Sequence, residues 1–153
     1  MLQSQTMQET LNGLKYSPMF HFSLGAKELF HSNFIAWLFK VEGEEMTNVF
    51  SNHFPWNIGS FSKVLREREH MDLFIEFTNS VNLIIENKVK SIPTPGQLSR
   101  YSTKLKDPPI HCFVLLSLMR PLFFNNQTTW IDANNKKWHY LSYSDLGQML
   151  SNV

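Results

Sequence analysis

The chain is short of cysteine, of net charge and of long apolar runs, and each shortage removes a class of function. One cysteine, Cys112, excludes an intrachain disulfide. Set in the apolar run IHCFVLLSLM, it is expected to be a buried, reduced thiol rather than a ligand or nucleophile, which assigns the chain to a reducing cytoplasm. A net charge of +1 gives no strongly basic field, so contact with nucleic acid has to come from local Lys and Arg clusters. The longest apolar stretch, 113–119 with one Ser, is far too short to span a bilayer. MLQSQTMQET at the start lacks the basic n-region and apolar core of an export signal. Neither export nor a membrane partner is expected. There is no internal repeat, heptad series or low-complexity tract, and only FNNQTTWIDANNKK at 124–137 shifts composition, reading as a loop or an edge hairpin.

What is present is a chain of 153 residues, 42% hydrophobic and 14% aromatic, enough for one core and read as a single domain over 1–153. A short helix is expected at 6–14 before Pro18. A stronger one is expected at 24–41, with Leu24, Glu28, His31, Ile35 and Leu38 on one stripe and Phe30, Phe34 and Trp37 beside it in a core-like position. Another short helix follows at 45–54, and SKVLREREHMD makes a first strand or strand pair. Thr94 is a good N-cap and Pro95 a good first helical residue, so 95–106 reads as a helix presenting Leu98, Tyr101 and Leu105 inward. Residues 110–118 form a buried strand and 137–141 a last strand, after which Ser142 and Asp145 open a helix to about 151. This order suits an α/β sandwich, a central mixed sheet flanked by helices on both sides.

The chemistry lies in one hairpin. LFIEF at 73–77 and VNLIIENKV at 81–89 are strand-forming runs separated by Thr78, Asn79 and Ser80. A three-residue loop pairs Phe77 with Val81, which sets Asp72 opposite Glu86 with Cβ atoms roughly 5 Å apart, and His70 opposite Lys88. A two-residue loop would send the carboxylates to opposite faces. One face of the hairpin (Met71, Leu73, Ile75, Phe77, Val81, Leu83 and Ile85) is apolar and must pack. The carboxylate face also carries Phe74 and Ile84, so its charges sit on a half-buried surface and need a reason. Two carboxylates that close raise each other's pKa unless a cation lies between them, and a hard ion, Mg²⁺ or Mn²⁺, suits oxygen ligands from Asp72, Glu86 and the Asn87 carbonyl. Lys88, alternating back to the same face, can hold or help deprotonate an attacking water. The bland alternative is that Glu86 and Lys88 form a solvated strand face and Asp72 a strand end, because an Asp followed by a distant Glu-X-Lys arises often by chance.

Three blocks, Asp72 with IIENK at 84–88, GAKELFHSNFIAWLF at 25–39 and QLSRY at 97–101, together resemble the PD-(D/E)XK nuclease superfamily. The resemblance implies a restriction-endonuclease-like α-β-β-β-α-β sandwich. It also implies a metal-dependent nuclease acting on nucleic acid, with DNA the expected partner. Carried over by position, Glu28, Asp72 and Glu86 correspond to metal ligands, Lys88 to the catalytic lysine, and Gln97 and Tyr101 to the helix positions that approach the substrate. Each has a structural alternative: Glu28 complementing a helix N-terminus, Gln97 closing a capping box with Thr94, Tyr101 packing with a polar tip. His31 is read as structural. His70-Met71 stands where the superfamily name has a Pro, and members of this kind often run longer than 153 residues, so the chain is read as a short or truncated member. Arg66, Arg68, Lys90, Arg100 and Lys104 are the candidate phosphate contacts. The rival function is a catalytically inactive nuclease-fold module that binds nucleic acid or protein.

Overall fold

In the computed structural model, which describes residues 27–151, helix α1 runs Lys27–Val41 and turns at Glu42 into α2, Gly43–His53. The helix expected at 6–14 and the first residues of the one expected from 24 lie outside the described residues. At the α1–α2 corner a Cβ on Gly43 would run into the Phe61 ring, so glycine allows the close approach. α1 buries Ser32, Ile35, Ala36 and Phe39. Phe34 and Trp37, expected in the core, are instead 37% and 54% exposed, with their rings stacked at 5.9 Å. The helix is apolar on nearly every side, so periodicity does not choose its inner face; contact with the sheet does.

Strands β1 (Phe61–Arg68), β2 (Met71–Phe77) and β3 (Val81–Lys88) form an antiparallel meander. The loop at 78–80 gives the pairs Leu73↔Ile85 and Ile75↔Leu83, the register that a three-residue connection requires, and Ser80 takes the left-handed φ of 57°. The β1–β2 turn is tighter: Glu69 and His70 have φ of 54° and 66°, as in a type I′ turn. His70 therefore sits in a turn and not on the strand opposite Lys88. Met71, where the strand starts, packs with Phe74 and Ile84 rather than with Leu73, because the turn interrupts the alternation there.

Helix α3 (Pro95–Thr103) carries the chain over to β4 (Ile110–Ser117), and this crossover makes β3 and β4 parallel. Thr94 caps α3, its hydroxyl accepting from the Gln97 N–H at 3.2 Å, with Pro95 at the first position. After a 3₁₀ turn at Leu122–Phe124 come β5 (Thr129–Ile131) and β6 (Lys137–Ser142), the edge hairpin expected in this region, with β6 parallel to β4. α4 (Tyr143–Leu150) opens with a full capping box between Ser142 and Asp145.

The result is a six-stranded mixed sheet in the order β1-β2-β3-β4-β6-β5. α1, α2 and α4 cover one face, over Leu73, Ile75, Leu83, Ile85 and Val114. α3 covers the other through Leu98, against Phe74, Ile84, Phe113 and Trp138. A fully buried side chain of this size contributes about 2 kcal/mol, and the alternating residues of β2 and β3 fill both layers, so a one-residue slip would exchange the two sets and turn Asn82 and Glu86 into the larger layer. Cys112 is buried and its thiol is pushed up to about 12 by that burial, which leaves it inert. Among the described residues no helix is long and apolar enough to cross a membrane.

Candidate active site

β2 and β3 deliver the two carboxylates. The register carried one step beyond Leu73↔Ile85 sets Asp72 opposite Glu86, and alternation brings Lys88 to the same face, beneath α3. Asp72 is half-buried. Glu86 is 1% exposed, so the solvated-face alternative fails for it.

Lys88 Nζ lies 2.7 Å from Glu86 Oε1, while Glu86 Oε2 is buried with no hydrogen-bond partner among the described residues. Burial, and then the negative charge of Asp72, push the Glu86 carboxyl up to about 7, against the opposing pull of Lys88 and a main-chain hydrogen bond from Asp72. For Lys88, burial favours the neutral amine, but the charge and hydrogen bond of Glu86, with the charge of Asp72, outweigh it and hold its pKa above the ordinary lysine value. Lys88 is therefore an ammonium at neutral pH, a donor and not a base.

Gln97 and Tyr101 stand one turn apart on α3, and the Gln97 amide donates to the Tyr101 hydroxyl at 2.9 Å. Only the Thr94 half of the expected capping box forms, since the Gln97 side chain turns to Tyr101. Burial raises the Tyr101 pKa against its bond from Gln97, and the hydroxyl also senses the charges of Glu86 and Lys88, so α3 sits over the carboxylates. Glu28 lies in the first turn of α1, four residues before Ser32, and its side chain is outside the described residues.

No group of three or more His, Cys, Asp or Glu side chains gathers as a metal site among the described residues. Asp72 and Glu86 stand as a pair. Their chemistry nevertheless fits a hard divalent cation: oxygen donors from neighbouring strands, one of them buried without a partner, in a doubly ionised state that only adjacent positive charge makes favourable.

Sequence reasoning missed what holds the pair from behind. Asn87, fully buried between Glu86 and Lys88, turns its amide to the opposite layer. There its Nδ2 donates to Ser32 Oγ at 3.1 Å and its Oδ1 accepts from the Tyr143 hydroxyl. Its main-chain N–H donates to Asp72 Oδ2 at 2.7 Å. One residue thus ties α1, β3 and α4 together and orients a carboxylate. The available signal was an Asn continuing the apolar series Leu83, Ile85. Of the expected phosphate contacts, Arg68 is engaged with Glu76 at 2.8 Å and lies 4.3 Å over the Phe74 ring, and Lys104 donates to the Glu69 carbonyl at 3.1 Å.

A sequence profile of the PD-(D/E)XK nuclease superfamily matches residues 50–153, more than half of the chain. The chain belongs to the PD-(D/E)XK nuclease superfamily. Searches among curated proteins and among solved structures return no match. The PD-(D/E)XK match includes Asp72, Glu86, Lys88, Gln97 and Tyr101, and it leaves α1 with Glu28 outside. The α-β-β-β-α-β core of a PD-(D/E)XK protein corresponds here to α1, β1 to β3, α3 and β4, with α2 inserted and β5, β6 and α4 added after it. The expected restriction-endonuclease-like fold is the one observed.

Proposed function

We propose that this protein is a Mg²⁺- or Mn²⁺-dependent nuclease that hydrolyses phosphodiester bonds of DNA, with the ion held by Asp72 and Glu86 and, from α1, by Glu28. The observation that carries this reading is the buried Glu86 oxygen without a hydrogen-bond partner among the described residues, with the charge of Asp72 close by and the Lys88 ammonium 2.7 Å from its twin oxygen. A buried carboxylate oxygen without a partner is destabilising by a few kcal/mol, and a bound cation is what offsets it. This favours the hydrolase over an inactive binding module, which has no use for such a group.

When bound, the cation offsets charge developing on the phosphoryl oxygens and lowers the pKa of water. The chain's own groups do the rest. Glu86 Oε1 aims the Lys88 ammonium, which can orient a water for attack or donate to a phosphate oxygen. The Asn87 N–H fixes the Asp72 carboxylate. Tyr101 and Gln97, already joined to each other, present a hydroxyl and an amide from α3 toward the substrate backbone.

The full chain is incubated with single- and double-stranded DNA, with Mg²⁺ or Mn²⁺ and with EDTA. Cleavage is expected only with metal, and Glu86→Gln and Lys88→Ala should each reduce it by at least about a hundredfold. Calorimetry should give a Mn²⁺ binding signal for the wild type and none for Asp72→Asn. Cleavage that persists in EDTA and in Glu86→Gln would reject the reading.

A further inference from the structure

The loops that leave β3 and β4 enclose a cavity of about 140 Å³ directly beside Lys88, lined among others by Lys90, Ile92, Ser117, Leu118 and Met119. The parallel register pairs Lys88 with Ser117, so the cavity opens where the strands end, at the carboxyl edge of a parallel pair where α/β sheets place their ligands. Its lining is unusual in two ways. Ile92, Leu118 and Met119 are 58%, 59% and 63% exposed, three large apolar side chains gathered at one spot. The charged residues among the described lining are Lys88 and Lys90, both cationic, with Lys88 paired to Glu86 beside it. Nor is the β4 loop left to hold these side chains out by chance. The buried Ser117 hydroxyl donates to the Met119 carbonyl at 2.7 Å. Arg120 donates to the Asn126 carbonyl at 2.7 Å, with its guanidinium 5.0 Å over the Tyr140 ring.

A ligand that matches exposed apolar side chains next to the Lys88 ammonium is a flat apolar ring attached to phosphate. We infer that the cavity receives the base of the nucleotide adjoining the scissile phosphate. The enzyme thereby selects strands whose bases are unstacked, as in single-stranded DNA or a frayed end. This rests on the hydrolase reading of Asp72, Glu86 and Lys88. A base inside a duplex has both faces covered by its neighbours, whereas an unstacked base offers a free apolar face to such side chains. Apolar side chains at nucleic-acid interfaces act in this way, receiving an extruded base or separating two steps.

The test uses the full chain with Mn²⁺ and three end-labelled substrates of one sequence: a single strand, a blunt duplex, and the single strand carrying one abasic position at the cleavage site. The single strand should be cut about tenfold or more faster than the duplex, and the abasic position should remove about that factor. Leu118→Ser with Met119→Ser, and separately Ile92→Ser, should erase the preference; thermal melting checks that these exposed replacements leave the fold intact. Metal-dependent cleavage that treats all three substrates alike, or a preference that survives both variants, overturns the inference while leaving the hydrolase reading in place. Absence of cleavage on any nucleic acid overturns both.

Discussion

Asp132 and Glu86 are both carboxylates with almost no access to water, 6% and 1% exposed, yet every oxygen of one is occupied and an oxygen of the other is not. Asp132 Oδ1 accepts from the main-chain N–H groups of Asn134 and Lys136 at 2.8 and 2.9 Å, and Oδ2 from Trp138 Nε1 at 3.2 Å and from the Ser102 hydroxyl. It closes the β5–β6 hairpin and fastens it to α3. Glu86 has Lys88 on one oxygen, no hydrogen-bond partner on the other among the described residues, and a second carboxylate opposite. On the proposed reading, the contrast separates a carboxylate that the protein uses on itself from one that it holds for a cation. Burial alone does not distinguish the two carboxylates; hydrogen-bond satisfaction does.

The strongest way to break this contrast is to remove the satisfied carboxylate. Asp132→Ala leaves four donors buried or half-buried without their acceptor and should lower stability by about 4 kcal/mol, measured by urea unfolding. A loss of less than about 1 kcal/mol would erase the distinction between the two sites.

The unsatisfied carboxylate should respond to pH and metal instead. Glu86 titrates near 4.5 in the unfolded chain and near 7 in the fold, so the metal-free fold holds the proton more tightly. The stability this gives is complete below pH 4.5 and is lost as pH rises through 7, about 3 kcal/mol in all. In EDTA, the difference in unfolding free energy between wild type and Glu86→Gln should follow that curve. Saturating Mn²⁺ should restore wild-type stability above pH 7 and leave Glu86→Gln unchanged; a wild-type curve indifferent to Mn²⁺ would count against a shared ion.

The smallest effect concerns the helix that touches both regions, since α3 carries Tyr101 over Glu86 and Ser102 against Asp132. Thr94→Ala removes its N-cap and should lower stability by about 1 kcal/mol. Fraying of α3 detected by amide exchange should be greatest at its first turn, before Tyr101, and a uniform loosening through Ser102 would mean that the two carboxylate sites are not independent.

Much of the site was legible because its logic is local. The three residues at 78–80 and the two-residue period of the flanking strands fix which side chains share a face, and this was enough to bring Asp72 and Glu86 together. Thr94 with Pro95, and Ser142 with Asp145, marked helix starts for the same reason, a side chain acting on main chain three residues away. Failures came where a non-local contact decides. Phe34 and Trp37 lie outward because the sheet packs on a different stripe of α1. Met71 changes layer because a tight turn resets the strand. The Asn87 link to Ser32 and Tyr143 joins residues more than fifty positions apart, beyond the reach of any local pattern.

By itself, then, the sequence determined the pairing of two acids and a lysine on one strand face and the order of elements around them, since alternation and turn length act over a few residues. Only the tertiary structure decided that Glu86 is sealed from water with one oxygen unmet, that Asp132 is fully engaged, and that Lys88 opens onto an apolar cavity. Each of these depends on what α3, β4 and the loops after β3 and β4 place over a side chain, and burial is a property of the assembled layers, which no stretch of chain carries alone.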